Sequence, residues 1–343
     1  MAVAYAATIS LQSPRPPSVR VGATSKRSRC FMKTSISVSG IYNNLTKVQD
    51  WNVGVIRHPI SDFLKPNNNP EVMWLPTPGK GKYLADPFGL IRDNRLFIFC
   101  EEFDYSTSKG RIACFEEGED HAFMASRVAM ELPIHLSYPY LLEWNGETYC
   151  VPETSHAREV SLYRAQEFPY KWEKATTLIT NFPGLDASVF EFEGRWWLTC
   201  TNLEDGEWEK LFIWHADDLT GPWRPHIANP VKVSRRSSRP AGTPFMHEGT
   251  LYRPAQDCSN SYGQNVVINR IRRLTTKEFE EEEMTIIKPF QAPYLEGLHT
   301  LSSTDGMTLI DGKRFRAVRS FSEIRYGMVD NWRNLHRRLA GSQ

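Results

Sequence analysis

Short apolar runs recur along the chain in one arrangement that appears five times. Each copy begins at a small or polar residue, continues as an apolar stretch, makes a tight turn and enters a strand rich in aromatic residues. Four of the turns carry Asn-Gly, Glu-Gly or Asp-Gly, which favour a two-residue hairpin because its central residues need a positive φ. The turn residues lie 52, 48, 55 and 57 positions apart: Asn94, Gly146, Gly194, Gly249 and Gly306.

Further strand-like segments lie between these hairpins, at residues 111–115, 160–165, 211–216 and 266–274. A hairpin plus two more strands every fifty or so residues is typical of a propeller blade. The sequence therefore predicts an all-β fold, a five-bladed β-propeller with four-stranded antiparallel blades, over residues 49–332 and followed by a tail at 333–343. Helical signals are weak, with a turn or two expected at 276–283 and a short helix at 330–339. The acidic run at 280–283 is expected to face solvent.

The first 49 residues differ from the rest because they contain no Asp or Glu and seven Lys or Arg. An acid-poor, Arg- and Ser-rich N-terminus is typical of an organellar transit peptide. The opening Met-Ala and the many serines favour a plastid over a mitochondrion. We therefore expect residues 1–48 to direct the chain to the chloroplast stroma, with a disordered tail as the alternative.

Charge and composition narrow the function further. The chain has 343 residues, with 41 Lys and Arg against 40 Asp and Glu. Without the seven N-terminal basic residues the balance is 34 against 40, near −6, which argues against a nucleic-acid partner. No stretch is apolar enough for a membrane span. The high aromatic content of 12% suggests a sugar-binding surface, and we expect a monomer.

Two aspartates occupy equivalent positions, eight residues before the turn, in the innermost strands of blades one and three: Asp86 and Asp186. In a propeller these strands deliver side chains to the central tunnel, so the two carboxylates could face each other across one pocket. Glycosidases need such a pair as acid and base. Glu153, just beyond the second strand of blade two, is a third candidate acid. The alternative for Asp86, which precedes Pro87, is a turn-capping role.

Other polar residues are expected near the same tunnel. At the starts of inner strands lie His135, Tyr138 and His299, and around blade four lie Arg239, Gln256, Asp257 and Tyr262. They could bind ligand hydroxyls or an anionic group, or could form an internal hydrogen-bond network. The chain has no phosphate-binding glycine loop, Ser–His–Asp order or metal-ligand spacing, so no cofactor is expected. An ion in the tunnel stays open because oxygen ligands need no linear motif.

Several ordered motifs carry a resemblance to a known family. They include Ala-Asp-Pro-Phe at 85–88, His-Leu-Ser-Tyr-Pro-Tyr at 135–140, Leu-Tyr-Arg-Ala at 162–165, Arg-Pro-Ala-Gly at 239–242 and Leu-Tyr-Arg-Pro-Ala-Gln-Asp-Cys at 251–258. Over residues 50–330 the chain resembles the N-terminal propeller domain of plant glucosamine inositolphosphorylceramide transferases and their stand-alone bacterial relatives. In that family the transferase activity belongs to a second domain, so the resemblance does not imply transferase activity for these residues.

More distantly, the chain is similar to the five-bladed furanosidases of glycoside hydrolase families 43, 32, 62 and 68. That resemblance implies a catalytic base at Asp86 and a pKa-modulating carboxylate at Asp186. Those hydrolases take their general acid from blade four, where this chain has Ala-Gly-Thr-Pro at 241–244, and Glu248 falls in the hairpin turn. Either Glu153 supplies the proton, or the pocket performs other chemistry.

Three functions therefore remain open. The first is a glycoside-hydrolase-like enzyme that uses Asp86, Asp186 and Glu153 on a sugar-like or hydroxylated small molecule. The second is a non-hydrolytic plastid enzyme of specialised metabolism, a cyclase, isomerase or lyase. The third is a non-catalytic carbohydrate-binding propeller. Hydrolysis predicts that Asp86 and Asp186 flank an open, wet tunnel mouth.

Overall fold

Five two-residue turns organise the structure, a computed structural model that describes residues 47–65 and 68–327. Both central residues of each turn have a positive φ, as at Asn145 and Gly146, with φ of 51° and 77°. The flanking strands pair directly across each turn, for example Trp144 with Glu147. The five predicted hairpins are therefore confirmed at the predicted turn residues.

The strands form five antiparallel sheets, which confirms the predicted five-bladed all-β propeller. Short 3-10 segments lie at Ile60–Leu64 and Ser155–Ala157, and residues 321–327 are helical. In chain order the strands are β1 (Lys47–Ile56), β2 (Met73–Trp74), β3 (Lys82–Arg92), β4 (Arg95–Asp104), β5 (Lys109–Glu116), β6 (Arg127–Met130), β7 (Ser137–Trp144), β8 (Glu147–Glu153), β9 (Glu159–Glu167), β10 (Lys171–Thr180), β11 (Gly184–Phe192), β12 (Arg195–Asn202), β13 (Lys210–Ala216), β14 (Arg224–Pro225), β15 (Lys232–Val233), β16 (Phe245–His247), β17 (Thr250–Asp257), β18 (Asn265–Leu274), β19 (Phe279–Ile287), β20 (Leu301–Thr304) and β21 (Met307–Ala317).

Four blades are continuous in sequence, and the fifth joins the two ends of the described chain. Blade one is β3 to β6, blade two β7 to β10, and blade four β16 to β19. In blade three, the short strands β14 and β15 share the outer position and both pair with β13. Blade five has the order β2-β1-β21-β20, and β1 pairs with β21 along its whole length. This pairing closes the ring.

The apolar core is divided among the seams between neighbouring blades. One cluster joins Val151 of blade two to Leu198 of blade three, and four others fill the remaining seams. Fully burying one large apolar side chain contributes about 1.5–3 kcal/mol, so these seams hold the ring together. The axis is thereby left to polar residues, which is where the candidate site forms.

One local expectation is wrong. Residues 276–283 do not form a helical turn, because Phe279–Ile287 is the outer strand β19 of blade four. The acidic run does not wholly face solvent either, since the Glu281 side chain is only 1% exposed and pairs with Arg253 and Lys232. A strand alternates its side chains between two faces, so only part of a charged run can be solvated.

The predicted transit peptide, apart from residues 47–48 in β1, lies outside the described residues. So do the predicted helix at 330–339 and the tail at 333–343. In the described part of the chain, no helix has both the length and the apolar character that a membrane span requires.

Candidate functional site

The inner strands of blades one, two and three each contain a bulge at the same place. The strand register shifts at Asp86, Tyr138 and Asp186, and these residues have φ of 53°, 44° and 52°. A β-bulge changes the direction of a side chain and a positive φ strains a non-glycine residue, so such positions often serve a site. Counting back from the hairpin turn therefore identified the distinctive residue in three blades. In blade four the residue with positive φ ahead of the hairpin is Gly242, one position beyond the counted Ala241.

Asp86 belongs to a buried chain of carboxylate, imidazole and carboxylate. Its Oδ1 accepts a hydrogen bond from Thr300 Oγ1 at 3.0 Å and lies 3.5 Å from His299 Nε2. The other ring nitrogen of His299 lies 2.6 Å from Asp311 Oδ2. Asp311 also accepts backbone N–H groups from Asp86, His299 and Thr300, at 2.9 to 3.1 Å. One aspartate thus ties the start of the blade-five inner strand to that of blade one.

Burial and charge act against each other in this chain. Burial raises the pKa of Asp86 to about 6, although the neighbouring His299 opposes the rise. Burial disfavours the charged form of His299, but the carboxylates of Asp311 and Asp86 outweigh it and raise the pKa of that imidazole. Asp86 can therefore gain or lose a proton near neutral pH.

Asp186 forms a second network with blades two and four. Its Oδ2 accepts hydrogen bonds from Arg239 Nε at 2.5 Å and from Gln256 Nε2 at 2.7 Å. Its backbone N–H donates to Glu153 Oε2 at 3.4 Å, and the other Glu153 oxygen accepts from Ser155 Oγ at 2.9 Å. Burial, and then the charge of Asp186, raises the pKa of Glu153 to about 8. The three predicted acids therefore lie together in the centre of the ring, all buried.

A cavity of about 630 Å³ lies beside these networks, within the ~300–1,000 Å³ that small-molecule sites occupy. Its aromatic wall includes Trp51, Tyr83, Trp208, Tyr262 and Tyr326. Its ionisable residues include Glu101, His135, Arg239, His299 and Lys313.

The predicted acids are not themselves on this wall. Ala85 and Leu185 line the cavity, whereas Asp86, Asp186 and Glu153 do not. Asp86 connects to the cavity through His299, and Asp186 connects to it through Arg239. The arrangement differs from the expected pair of carboxylates flanking an open tunnel mouth.

The seven predicted substrate-binding residues separate into two groups. Four of them line the cavity: His135, Arg239, Tyr262 and His299. The other three have internal partners. Tyr138 accepts the Gly242 N–H at 2.6 Å and contacts Ser188 Oγ at 2.8 Å, and Asp257 accepts from the Ser259 N–H and from Asn265. Gln256 donates to Pro240 as well as to Asp186. The contacts of these three residues are those of an internal hydrogen-bond network, which was the alternative to ligand binding.

Three site residues were missed from the sequence: Glu101, Asp311 and Lys313. Each stands in or directly after an apolar strand segment, which is the signal that could have found them. Lys313 Nζ donates to the Tyr262 carbonyl at 2.8 Å and lies 4.9 Å from the centre of the Trp51 ring. Burial lowers the pKa of Lys313 to about 8. Glu101 is buried, and burial followed by the charges of Asp86 and Glu153 raises its pKa well above the ordinary value.

Among the described residues, one cluster has the donor groups that a metal ion could bind. The donor atoms of Asp86, His299 and Asp311 all lie within 4.8 Å of one another. A hard cation such as Ca²⁺ takes about six to eight oxygen ligands, and this cluster supplies two carboxylates that already accept internal hydrogen bonds. As arranged, the cluster is a hydrogen-bonded network.

Comparisons with known structures agree with the fold. A family 117 glycoside hydrolase from the marine bacterium Zobellia galactanivorans aligns with a TM-score of 0.50, at 13% identity, over 80% of this chain and 91% of that one. A glycosyl hydrolase from Bacteroides ovatus aligns with a TM-score of 0.52, at 10% identity, over 75% and 94%. At such identities the likeness establishes the propeller architecture alone.

Sequence comparisons are more specific. The glucosamine inositolphosphorylceramide transferase 1 of Oryza sativa subsp. japonica is 36% identical over 228 residues, which are 63% of this chain and 30% of that protein. The Arabidopsis thaliana protein of the same name is 32% identical over 208 residues, 59% and 27% of the two chains. This chain thus spans under a third of the curated relatives it matches. The model of the family described as "Glucosamine inositolphosphorylceramide transferase 1, N-terminal" matches residues 75–292, so the chain belongs to that family.

Proposed function

We propose that this propeller is a glycoside-hydrolase-like enzyme that uses its axial carboxyl groups on a sugar-like or hydroxylated small molecule bound in the aromatic cavity. One observation carries the proposal: buried carboxyl groups with different raised pKa values meet beside one cavity. The pKa is about 6 for Asp86 and about 8 for Glu153. Acid–base catalysis requires one group ionised and another protonated at the same pH, and such a pair satisfies this between pH 6 and 8.

Asp86 is the proposed base. Thr300 holds one carboxylate oxygen, and the adjoining His299 reaches the cavity wall. Asp311 orients the ring of His299 from its other nitrogen. A water molecule that approaches this wall meets the imidazole of His299, and the Asp86 carboxylate lies 3.5 Å behind that ring in fixed geometry.

Asp186 is the proposed charge partner of the site. It fixes the Arg239 guanidinium, which lines the cavity, and its charge contributes to the raised pKa of Glu153. The remaining N–H groups of a held guanidinium suit recognition of hydroxyl or acidic oxygens. Glu153 is the acid that the sequence predicts.

The aromatic wall and the comparisons support a sugar ligand. Trp51, Trp208 and Tyr262 contribute aromatic side chains to the cavity wall, and an aromatic wall with polar edges suits a ring that carries hydroxyl groups. The relatives are named as transferases of glucosamine, and the structural neighbours as glycoside hydrolases. These names make aryl furanosides and aryl glucosaminides the first substrates to test.

A non-catalytic carbohydrate-binding role is the second candidate. It is favoured by the position of Asp86 and Asp186, which lie off the cavity wall with their carboxylates in internal hydrogen bonds. In that role both networks hold the wall in shape, and bound sugar leaves unchanged.

Turnover distinguishes these candidates. We expect purified chain to release nitrophenol from 4-nitrophenyl α-L-arabinofuranoside or 4-nitrophenyl glucosaminide and, in H₂¹⁸O, to place ¹⁸O in the sugar. Asp86→Asn should lose about 10²–10⁴-fold in kcat/KM, the usual contribution of one general acid or base. The exposed Asp217→Asn is the matched control. No turnover, with equal sugar binding by parent and Asp86→Asn in calorimetry, would favour the binding module. Product without ¹⁸O would favour the cyclase, isomerase or lyase.

We also propose a plastid location, supported by the acid-free N-terminal segment. A fluorescent protein fused after residue 48 should enter chloroplasts, and a cytosolic signal would contradict this.

A further inference from the structure

Among the buried acids that the structure describes, Glu101 alone has a fully buried carboxyl oxygen without a hydrogen-bond partner. It lies in β4, where its Cα pairs with Ala85, next to Asp86. The side chain lines the cavity although the residue is only 5% exposed, and its buried Oε1 makes no hydrogen bond. Buried polar atoms in native proteins are almost always paired, and an ionised carboxylate with an unpaired buried oxygen is costly, so this carboxyl group at the cavity wall favours its protonated form, which can donate a proton to a ligand.

His135 faces the same oxygen. Its Nδ1 accepts the Gly110 N–H at 2.9 Å, so the neutral ring carries its proton on Nε2. Burial lowers the pKa of His135 to about 4, which keeps the ring neutral. Nε2 lies 3.6 Å from Glu101 Oε1, too far for a hydrogen bond. A neutral imidazole with its proton on Nε2 and a carboxyl group therefore lie side by side at the cavity wall without a hydrogen bond between them.

Gly110 keeps the space that this carboxyl group occupies. A Cβ at residue 110 would lie 2.3 Å from Glu101 Oε1 and 2.4 Å from the Leu136 carbonyl. The Glu101 position thus depends on a glycine in the neighbouring strand β5. Glu153 differs from Glu101 because both of its carboxyl oxygens accept hydrogen bonds, one from Ser155 and one from the Asp186 N–H.

We propose that Glu101, rather than Glu153, is the residue that donates the proton to the departing oxygen of the substrate, and that the His135 Nε2–H binds the same oxygen. This rests on the hydrolytic function proposed above. As the glycosidic C–O bond breaks, the Glu101 carboxyl proton moves to the leaving oxygen. Water forms the new bond to the sugar carbon and gives its proton to the Asp86–His299 pair, whose imidazole lines the cavity. The proton then returns from this pair to Glu101 through solvent, so water is the only co-reactant.

Charge at the site agrees with this role. Burial and the carboxylates of Asp86, Glu153 and Asp186 all raise the pKa of Glu101, so the protonated form is the one present near neutral pH. A proton donor requires that form.

Dependence on the leaving group tests the assignment. A general acid matters for a poor leaving group such as methanol or phenol, and hardly matters for 2,4-dinitrophenol, which departs as a stable anion. For Glu101→Gln we expect a loss of about 10²–10⁴-fold in kcat/KM with phenyl glycosides and of less than about tenfold with 2,4-dinitrophenyl glycosides. Glu153→Gln should lose activity equally on both. The exposed Glu119→Gln, also in blade one, should match the parent.

The outcomes separate the two proposals. If the parent hydrolyses both glycosides and Glu101→Gln loses activity equally on both, or if Glu153→Gln shows the leaving-group dependence, the assignment to Glu101 is wrong and the hydrolytic function stands. If the parent hydrolyses neither, both are wrong. Should Glu101→Gln fail to fold, Glu101→Asp keeps an acid but withdraws it by one methylene, and the same selective loss is expected.

Discussion

Two of the buried charge groups among the described residues differ in the direction in which the pKa values of their acids shift. In blade four, Glu281 accepts from Arg253 at 2.6 and 3.0 Å and from Lys232 at 2.8 Å. Burial disfavours its charge, but Arg253 and Lys232 outweigh burial and lower its pKa. At the axis, the acids outnumber the cations, and the pKa values of Asp86, Glu101 and Glu153 are raised.

The difference separates structural from functional charge. The blade-four group has its cations and hydrogen bonds in place, and Arg253 also donates to the backbone carbonyls of Ser237 and Ser238. The charged groups of such a cluster are already paired with one another and with the backbone, so they are not available to bind a ligand. The axial group retains protons that can be transferred and an unpaired oxygen on Glu101. Buried acids with raised pKa values in a cavity are candidates for catalysis, whereas satisfied ion pairs are not.

The largest expected effect comes from breaking the blade-four group. Arg253→Met leaves Glu281 with Lys232 alone in a buried site, and we expect it to lower the free energy of unfolding by about 3–5 kcal/mol. Urea denaturation measures the loss. The control Arg272→Met removes an exposed cation from Glu282 and should leave the transition nearly unchanged. Equal losses from the two variants would contradict the structural role of the Arg253 group.

The pH dependence of stability should have opposite signs in the two groups. The folded protein retains the Glu153 proton up to a pKa of about 8, whereas the unfolded chain releases it near its ordinary value. The free energy of unfolding therefore falls as pH rises from about 5 to about 8, by at most about 1.4 kcal/mol per pH unit, and Glu153→Gln should remove this contribution. Glu281 has a lowered pKa, so its contribution is present above the ordinary value and is lost as pH falls.

Denaturation of Glu153→Gln and of Glu281→Gln at several pH values measures these slopes. If the free energy of unfolding of Glu153→Gln falls between about pH 5 and about pH 8 as steeply as that of the parent, Glu153 is not protonated in the folded protein.

A smaller effect is expected at Tyr138. Its hydroxyl accepts the Gly242 N–H, so Tyr138→Phe leaves a buried donor unpaired and should cost about 1–3 kcal/mol. Because Tyr138 does not line the cavity, KM for an aryl glycoside should stay within about twofold of the parent value. Urea denaturation and kinetics on one preparation give the free energy of unfolding and KM. A raised KM with an unchanged free energy of unfolding would show that Tyr138 binds the substrate.

The parts of the fold that local chemistry determines could be predicted from the sequence. The hairpins were found because Asn145-Gly146 and its counterparts suit a turn in which both central residues have positive φ. Counting from those turns reached Asp86 and Asp186 because the bulge lies at the same distance from the turn in both blades. In blade four the same count missed Gly242 by one residue.

The rest depends on contacts between distant parts of the chain. Ring closure by β1 and β21 joins residues about 260 positions apart and leaves no local signal. Glu101 and Lys313 face the cavity because of strand register, and a neighbouring Glu102 pairs instead with Lys82 and Arg111. Nothing in the adjacent letters distinguishes Glu101 from Glu102. Likewise, the sequence of the acidic run at 280–283 is typical of a solvated face, and only the fold brings Arg253 against Glu281.

If the axial acids perform chemistry, their ionisation should shape the pH profile of kcat/KM for an aryl glycoside. We expect activity to rise through about pH 6, where Asp86 ionises, and to fall again in the alkaline range as the proton donor loses its proton. In Asp86→Asn the limb near pH 6 should disappear together with most of the activity. A parent profile without that limb, or an Asp86→Asn variant as active as the parent, would show that Asp86 takes no part in the chemistry.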